Sequence, residues 1–178
     1  VLPVAADCPV CRLSFARAKQ LLGPLPQLHR LLADLAGLLS PQARKRILRK
    51  IELIHRRFPQ LTLQVVLNRF PDAHPFSLHV FWLFNIAALG GESRRGRNCH
   101  GLLLAIDPHR GEAALMPGYG LEPYLPENAL DELLALAEPH WQTARWADGI
   151  LRVLDGLDRL LSSMAIAADT RPTSAADF

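Results

Sequence analysis

The chain has 178 residues, 49% hydrophobic and 21% charged, with mean hydropathy +0.09; this is the composition of one globular domain with a buried core, and it excludes wholesale disorder. Eleven Gly and 14 Pro exclude a collagen-like or low-complexity chain. Twenty basic residues against 17 acids leave a net charge of +3, and the densest basic stretch, Arg44 to Arg57, has no aromatic residues interleaved to stack bases, so nucleic acid is not the expected partner.

Asp7 is placed as an N-cap and predicts a helix from Cys8 to Leu22, ended by Gly23-Pro24-Leu25-Pro26. Leu31 to Leu39 is apolar but broken by Asp34 and Gly37, and reads as a lead-in loop or short turn. Ser40-Pro41 is a helix start, an N-cap followed by proline at the first helical position. The helix runs to Phe58, with Ile47, Ile51, Ile54 and Phe58 at helical spacing, and Pro59 closes it. Leu61 to Leu67 is a near-continuous β-type run, as in a strand buried on both faces. Pro75 to Leu89 is long, aromatic and apolar, and reads as a buried helix.

A polar loop follows at 90–98, where Arg94, Arg95 and Arg97 form either an anion-binding cluster or a solvated loop. Gly101 to Ile106 is a second strand. The turn Pro108–Gly111 is short enough to make the third, Glu112 to Met116, antiparallel to it. After the break at Gly118-Tyr119-Gly120 come a helix from Leu130 to Ala137, ended by Pro139, and a last helix from Thr143. The last carries an apolar stripe of Ile150, Leu154, Leu157, Leu161 and Met164. Alternating strands and helices predict an α/β layered sandwich, a central mixed sheet flanked by helices. The expected divisions are an N-terminal helical extension at 1–29, the α/β domain at 30–168 and a flexible tail at 169–178.

There is no run of about 18 apolar residues, hence no expected transmembrane helix. A start at Val1 rather than Met suggests a mature or trimmed form. Cys8, Cys11 and Cys99 are too few for a disulfide framework. Cys8-Pro9-Val10-Cys11 fits half a zinc site, a redox pair or a plain disulfide. A second half of a zinc site would have to come from Cys99 and His100, which are adjacent and awkward as joint ligands. Phosphate-loop, His-Glu-x-x-His, Gly-x-Ser-x-Gly and EF-hand signatures are all absent. His74 and His79, five apart, would not share a helix face.

Three segments in order resemble the TPM domain: Asp34-Leu35-Ala36-Gly37-Leu38-Leu39-Ser40 before the basic helix, Gly101 to Ile106 leading to Gly118-Tyr119-Gly120-Leu121-Glu122, and Trp146-Ala147-Asp148-Gly149-Ile150 before the closing helix. The similarity spans about residues 30–162. Members of that family include thylakoid-lumen photosystem II repair proteins, bacterial exported proteins and a nematode receptor modulator. The resemblance implies a compact α/β sandwich that is exported, periplasmic or membrane-associated, and that has a membrane protein or membrane-proximal complex as its partner. It also implies, from a plant member, an acid phosphatase activity and a Ca²⁺-associated acidic site. Carried onto this chain, Asp34 and Glu122 become the candidate ligands for Ca²⁺ or another divalent cation; the alternative is that Asp34 forms a turn and helix cap and Glu122 is a surface residue. With Asp148 they are also the catalytic candidates for a metal-bound water. The export habit favours a disulfide or redox role for Cys8 and Cys11. Cys99-His100 departs from the family, which commonly has Asn or Asp before the glycine; thiol and imidazole suit zinc better than Ca²⁺. The expected function is a binding or assembly module at a membrane face; the alternative is a metal-assisted acid phosphatase on small phosphate esters.

Overall fold

The computed structural model of the chain describes residues 15–22, 31–86 and 99–169. In order they form α1 (Phe15–Leu22), β1 (Leu32–Asp34), α2 (Pro41–Arg57), β2 (Thr62–Leu67), α3 (Phe76–Ile86), β3 (Gly101–Asp107), β4 (Glu112–Pro117), α4 (Glu127–Ala135), α5 (Glu138–Trp141) and α6 (Trp146–Asp169). The start of α2 follows from its sequence. Ser40 Oγ accepts the Ala43 N–H at 3.2 Å, and Pro41 occupies the first turn, where its missing N–H costs nothing.

The four strands lie in the order β1-β2-β3-β4. β1 and β2 are parallel, with Asp34 opposite Leu67; β2 and β3 are parallel, with Thr62 opposite Gly101; β3 and β4 are antiparallel. This is the mixed sheet flanked by helices that the alternating pattern predicts. β3 is fully buried along its length, in keeping with its unbroken apolar run.

Two cores sandwich the sheet. On one face Leu63, Val65, Leu102, Leu104 and Ile106 meet Ile47, Ile51 and Ile54 of α2, Leu130 and Leu133 of α4, and the α6 stripe Ile150, Leu154, Leu157 and Leu161. On the other, Val66, Leu103 and Ala105 meet Phe76, Val80, Leu83 and Phe84 of α3. Both crossovers step in the same direction across the sheet, yet α2 and α3 lie on opposite faces, so the two have opposite hands. One is left-handed, against a preference for right-handed connections of roughly 98%. The connections leaving β1 and β2 therefore part to opposite faces, which opens a crevice at the carboxyl ends of those strands.

Three elements differ from the sequence expectation. Leu32-Ala33-Asp34 is a strand rather than a lead-in loop; three residues are too few for periodicity to mark them, and pairing with Val65, Val66 and Leu67 decides the matter. Pro139 does not close α4 but sits in the first turn of α5. The closing helix begins at Trp146, after Ala144 takes a positive φ of 56°. Cys8, Cys11, the start of the first predicted helix, the Arg94, Arg95 and Arg97 loop and the end of the tail lie outside the described residues.

Candidate functional site

The carboxyl-end crevice is where an α/β sheet usually binds ligands, and Asp34 stands in it at the end of β1. Its carboxylate is fully buried and already occupied. Oδ1 accepts the Leu38 N–H at 3.1 Å, Oδ2 accepts the Leu39 N–H at 2.9 Å, and Arg44 Nη2 reaches Oδ2 at 2.6 Å. Asp34 thus holds the turn into α2, with Gly37 supplying a φ of +68°. The exposed side chains of that turn are apolar, Leu35 and Leu38.

Glu122 lies at the other end of the sheet. Gly118 N–H donates to Gly101 O and Gly120 N–H to Cys99 O, which ties the Gly118–Glu122 turn to the start of β3. Asp34 is aligned with Leu67 and Gly101 with Thr62, five strand steps apart, about 16 Å. Asp34 and Glu122, the candidate cation ligands, thus stand toward opposite ends of the sheet, too far apart for one ion to take oxygens from both. Ca²⁺ needs six to eight oxygen ligands, and Asp34 has two amides and a guanidinium on its carboxylate. This residue set does not fit the cation. Among the described residues, no three His, Cys, Asp or Glu side chains converge as a metal-holding group.

Asp148 lies at the Asp34 end, but on the outer side of α2. It is 3.8 Å from Arg46 Nη1 and half-exposed, with Lys50 bridging Asp155 and Asp158 further along and Arg57 on Asp158 at 2.6 Å. These pairs advance together along α2 and α6, so the two helices run parallel, and the basic face of α2 is matched to acids of α6. Burial lowers the Lys50 pKa, but the hydrogen bonds and charges of Asp155 and Asp158 outweigh it, and the ammonium is held above its ordinary value. Around Asp148 an open pocket of about 270 Å³ mixes Arg46, His140 and Arg152 with Asp148 and Asp155, and so offers no charge of one sign.

One polar cluster escaped the sequence reasoning. Asp107, at the end of β3, is fully buried and accepts from Phe70 N at 2.9 Å, His109 N at 2.9 Å and Arg110 N at 3.2 Å. Arg110 reaches over it, with Nε 3.6 Å from Asp107 and 3.4 Å from Asp72, and Nη2 donating to the Pro71 and His74 carbonyls. His79 is buried beneath and donates from Nε2 to Pro71 O at 3.1 Å. Burial pushes its pKa down, as does the Arg110 charge, against the upward pull of the Pro71 hydrogen bond. The His74 and His79 rings lie 6.2 Å apart, a pairing that helix spacing does not show because His74 precedes α3. The signal for this cluster was Asp107-Pro108-His109-Arg110-Gly111 directly after a strand, an Asp able to bond the N–H groups that follow it. All these groups clamp the 70–75 loop; Asp107 offers no free oxygen to a substrate.

The exposed aromatic residues lie elsewhere, around the Gly118–Tyr124 turn. Tyr119 is 77% exposed, Tyr124 58% and Phe81 52%. A pocket of about 270 Å³ opens beside the turn, lined by Phe58, His100, Leu121, Tyr124, Leu161 and Met164. Gly120 closes its floor: a Cβ there would stand 2.8 Å from Cys99 O and 3.1 Å from His100 Nε2. Cys99 itself is a free thiol, partly buried just before β3.

A model of the TPM domain matches residues 32–160. The solution NMR structure of the N-terminal domain of a protein from P. gingivalis is similar, with a TM-score of 0.66 and 26% identity, over 79% of this chain and 90% of that one. The N-terminal domain of the cg2496 protein from Corynebacterium glutamicum is similar in fold, with a TM-score of 0.57 and 14% identity, over 89% of this chain and 94% of that one. No curated protein sequence matches.

Proposed function

The chain belongs to the TPM domain family, and from that premise we propose that it is an exported domain acting as a binding or assembly module at a membrane face. The observation that carries this is where the exposed aromatic side chains lie. Phe81, Tyr119 and Tyr124 surround the Gly-Tyr-Gly-Leu-Glu turn. Phe81 and Tyr119 share a groove on the α3 face, and Tyr124 lines the pocket on the α6 face; exposed Tyr and Phe gathered about one turn are the composition of contact surfaces and of membrane-proximal belts, where one end of a ring is apolar and the other wet. The carboxylates that hydrolysis would need are occupied or apart: Asp34 caps a turn, Asp148 faces Arg46, and Glu122 is at the opposite sheet end. No helix among the described residues is long and apolar enough to cross a membrane, so attachment within this stretch would run through a surface.

A turnover assay separates this from the metal-assisted phosphatase. Purified chain is expected to hydrolyse a generic aryl phosphate at acid pH no faster than a heat-denatured control, with or without Ca²⁺ or Mg²⁺. Asp34→Ala and Glu122→Ala should leave that background unchanged. Robust turnover abolished by either substitution, with the fold intact, would make the enzyme the primary function.

A further inference from the structure

We infer that the outer edge of β4 is a docking site for an extended segment of a partner protein, apolar at alternate positions and basic at its ends, which adds to the sheet as a further strand. This rests on the binding-module reading and names the partner's chemistry. Among the described residues β4 is an edge strand, paired only with β3. The Gly118 N–H donates to Gly101 O, and the same alternation turns the N–H and C=O groups of Glu112, Ala114 and Met116 toward β3. The N–H groups of Ala113 and Leu115, and the carbonyls of Ala113, Leu115 and Pro117, face outward. Among the described residues no backbone bond is made on that side.

Edge strands are ordinarily blunted by lysines, bulges, proline or a covering element. Glu112-Ala113-Ala114-Leu115-Met116-Pro117 has proline only at its end and no lysine, and its residues past Glu112 are half-buried where those of β3 are fully buried. Strand addition takes affinity from main-chain bonds and specificity from pockets for alternate side chains. Such a pocket is present. A groove of about 70 Å³ runs between α3 and β4, lined by Phe81, Phe84, Met116, Pro117, Tyr119 and Glu122, room for one aliphatic side chain from the added strand.

Charge selects the occupant. Glu112 is exposed at the start of β4 and Glu122 just past its end, and neither has an ion-pair partner among the described residues. A segment with a basic residue at each end meets both acids. A second copy pairing antiparallel would set Glu112 against the Glu122 turn of its twin, like charge against like, which disfavours it.

The test is amide exchange of the isotopically labelled full chain, measured by NMR. One probe is a heptapeptide of alternating Val and Thr capped by Arg and Lys; the other has the same core capped by two Glu. The basic peptide is expected to slow exchange at Ala113 and Leu115 by about tenfold or more, with Ala114 and Met116 unchanged because β3 already holds them. The acidic peptide should bind about tenfold more weakly. Leu115→Pro removes an outward N–H without touching the β3 ladder and should abolish the protection at Ala113. Phe81→Ser should weaken binding with the backbone untouched. Absence of protection at both amides overturns the inference. So does protection that grows with protein concentration without peptide, which would make the occupant a second copy. Co-sedimentation with source-cell membranes tells the two failures apart. Membrane association without peptide binding overturns the β4 site alone; its absence in the wild-type chain overturns the wider function.

Discussion

Asp34 and Asp107 are both buried carboxylates at the carboxyl edge of the sheet, and each ends a strand by gathering the N–H groups of the turn that follows. Asp107 gathers three, from two separate loops, and Arg110 lies against it; Asp34 gathers two, both local, and Arg44. Removing a carboxylate leaves its donors buried without partners, at about 1–3 kcal/mol per group. Asp107→Ala is therefore expected to cost about 3 kcal/mol or more, and Asp34→Ala about 1–2 kcal/mol, since the more exposed Leu38 N–H can turn to water. Urea unfolding reads the order, and an equal or reversed pair would show that Asp107 is not the anchor described. Only half of this was legible in the sequence. Asp34 stood out within a family motif, both as a ligand candidate and as a former of the turn and cap that it makes here. Asp107 did not stand out at all, because its main partner, the Phe70 N–H, is 37 residues away.

At the scale of elements, the helices were legible where an apolar stripe met a large buried face. Ile47, Ile51 and Ile54 are wholly buried, as their spacing requires. β1 and α5 escaped because three or four residues carry no period; partners in space define them. The Trp-Ala-Asp-Gly motif gains a physical reason at its glycine. A Cβ on Gly149 would fall 2.0 Å from Trp141 Nε1, within a rigid indole, whereas one on Gly156 would fall 2.4 Å from Leu133 Cδ2, a methyl that can swing away. Alanine improves helix propensity at both positions by about 1 kcal/mol. Gly156→Ala should thus be close to neutral, and Gly149→Ala destabilising by about 1–2 kcal/mol because the indole must move. Thermal unfolding with tryptophan fluorescence checks both. A neutral Gly149→Ala with unchanged emission would contradict the α5–α6 packing.

Across the whole molecule, the connections after β1 and β2 part to opposite faces, and this places the chemistry. They open the carboxyl-end crevice, yet the acids there act as structural caps, while the exposed Tyr119 and Tyr124 and the β4 edge, unpaired among the described residues, lie away from it. Sequence order gave the layers correctly, because parallel strands alternating with amphipathic helices have few other ways to bury both faces. It could not give the distance between Asp34 and Glu122, which depends on strand register, nor the exposure of Tyr119, which depends on what packs beside it. The central claim is that the Gly118–Tyr124 turn is a contact surface at a membrane face. The most direct measurement places a photo-crosslinking amino acid at Tyr119 in source cells, with Glu52 on the solvent side of α2 as the control. Discrete adducts from position 119 in the membrane fraction, and none from position 52, are predicted; no adduct from 119, or the same diffuse labelling from both positions, would contradict the account.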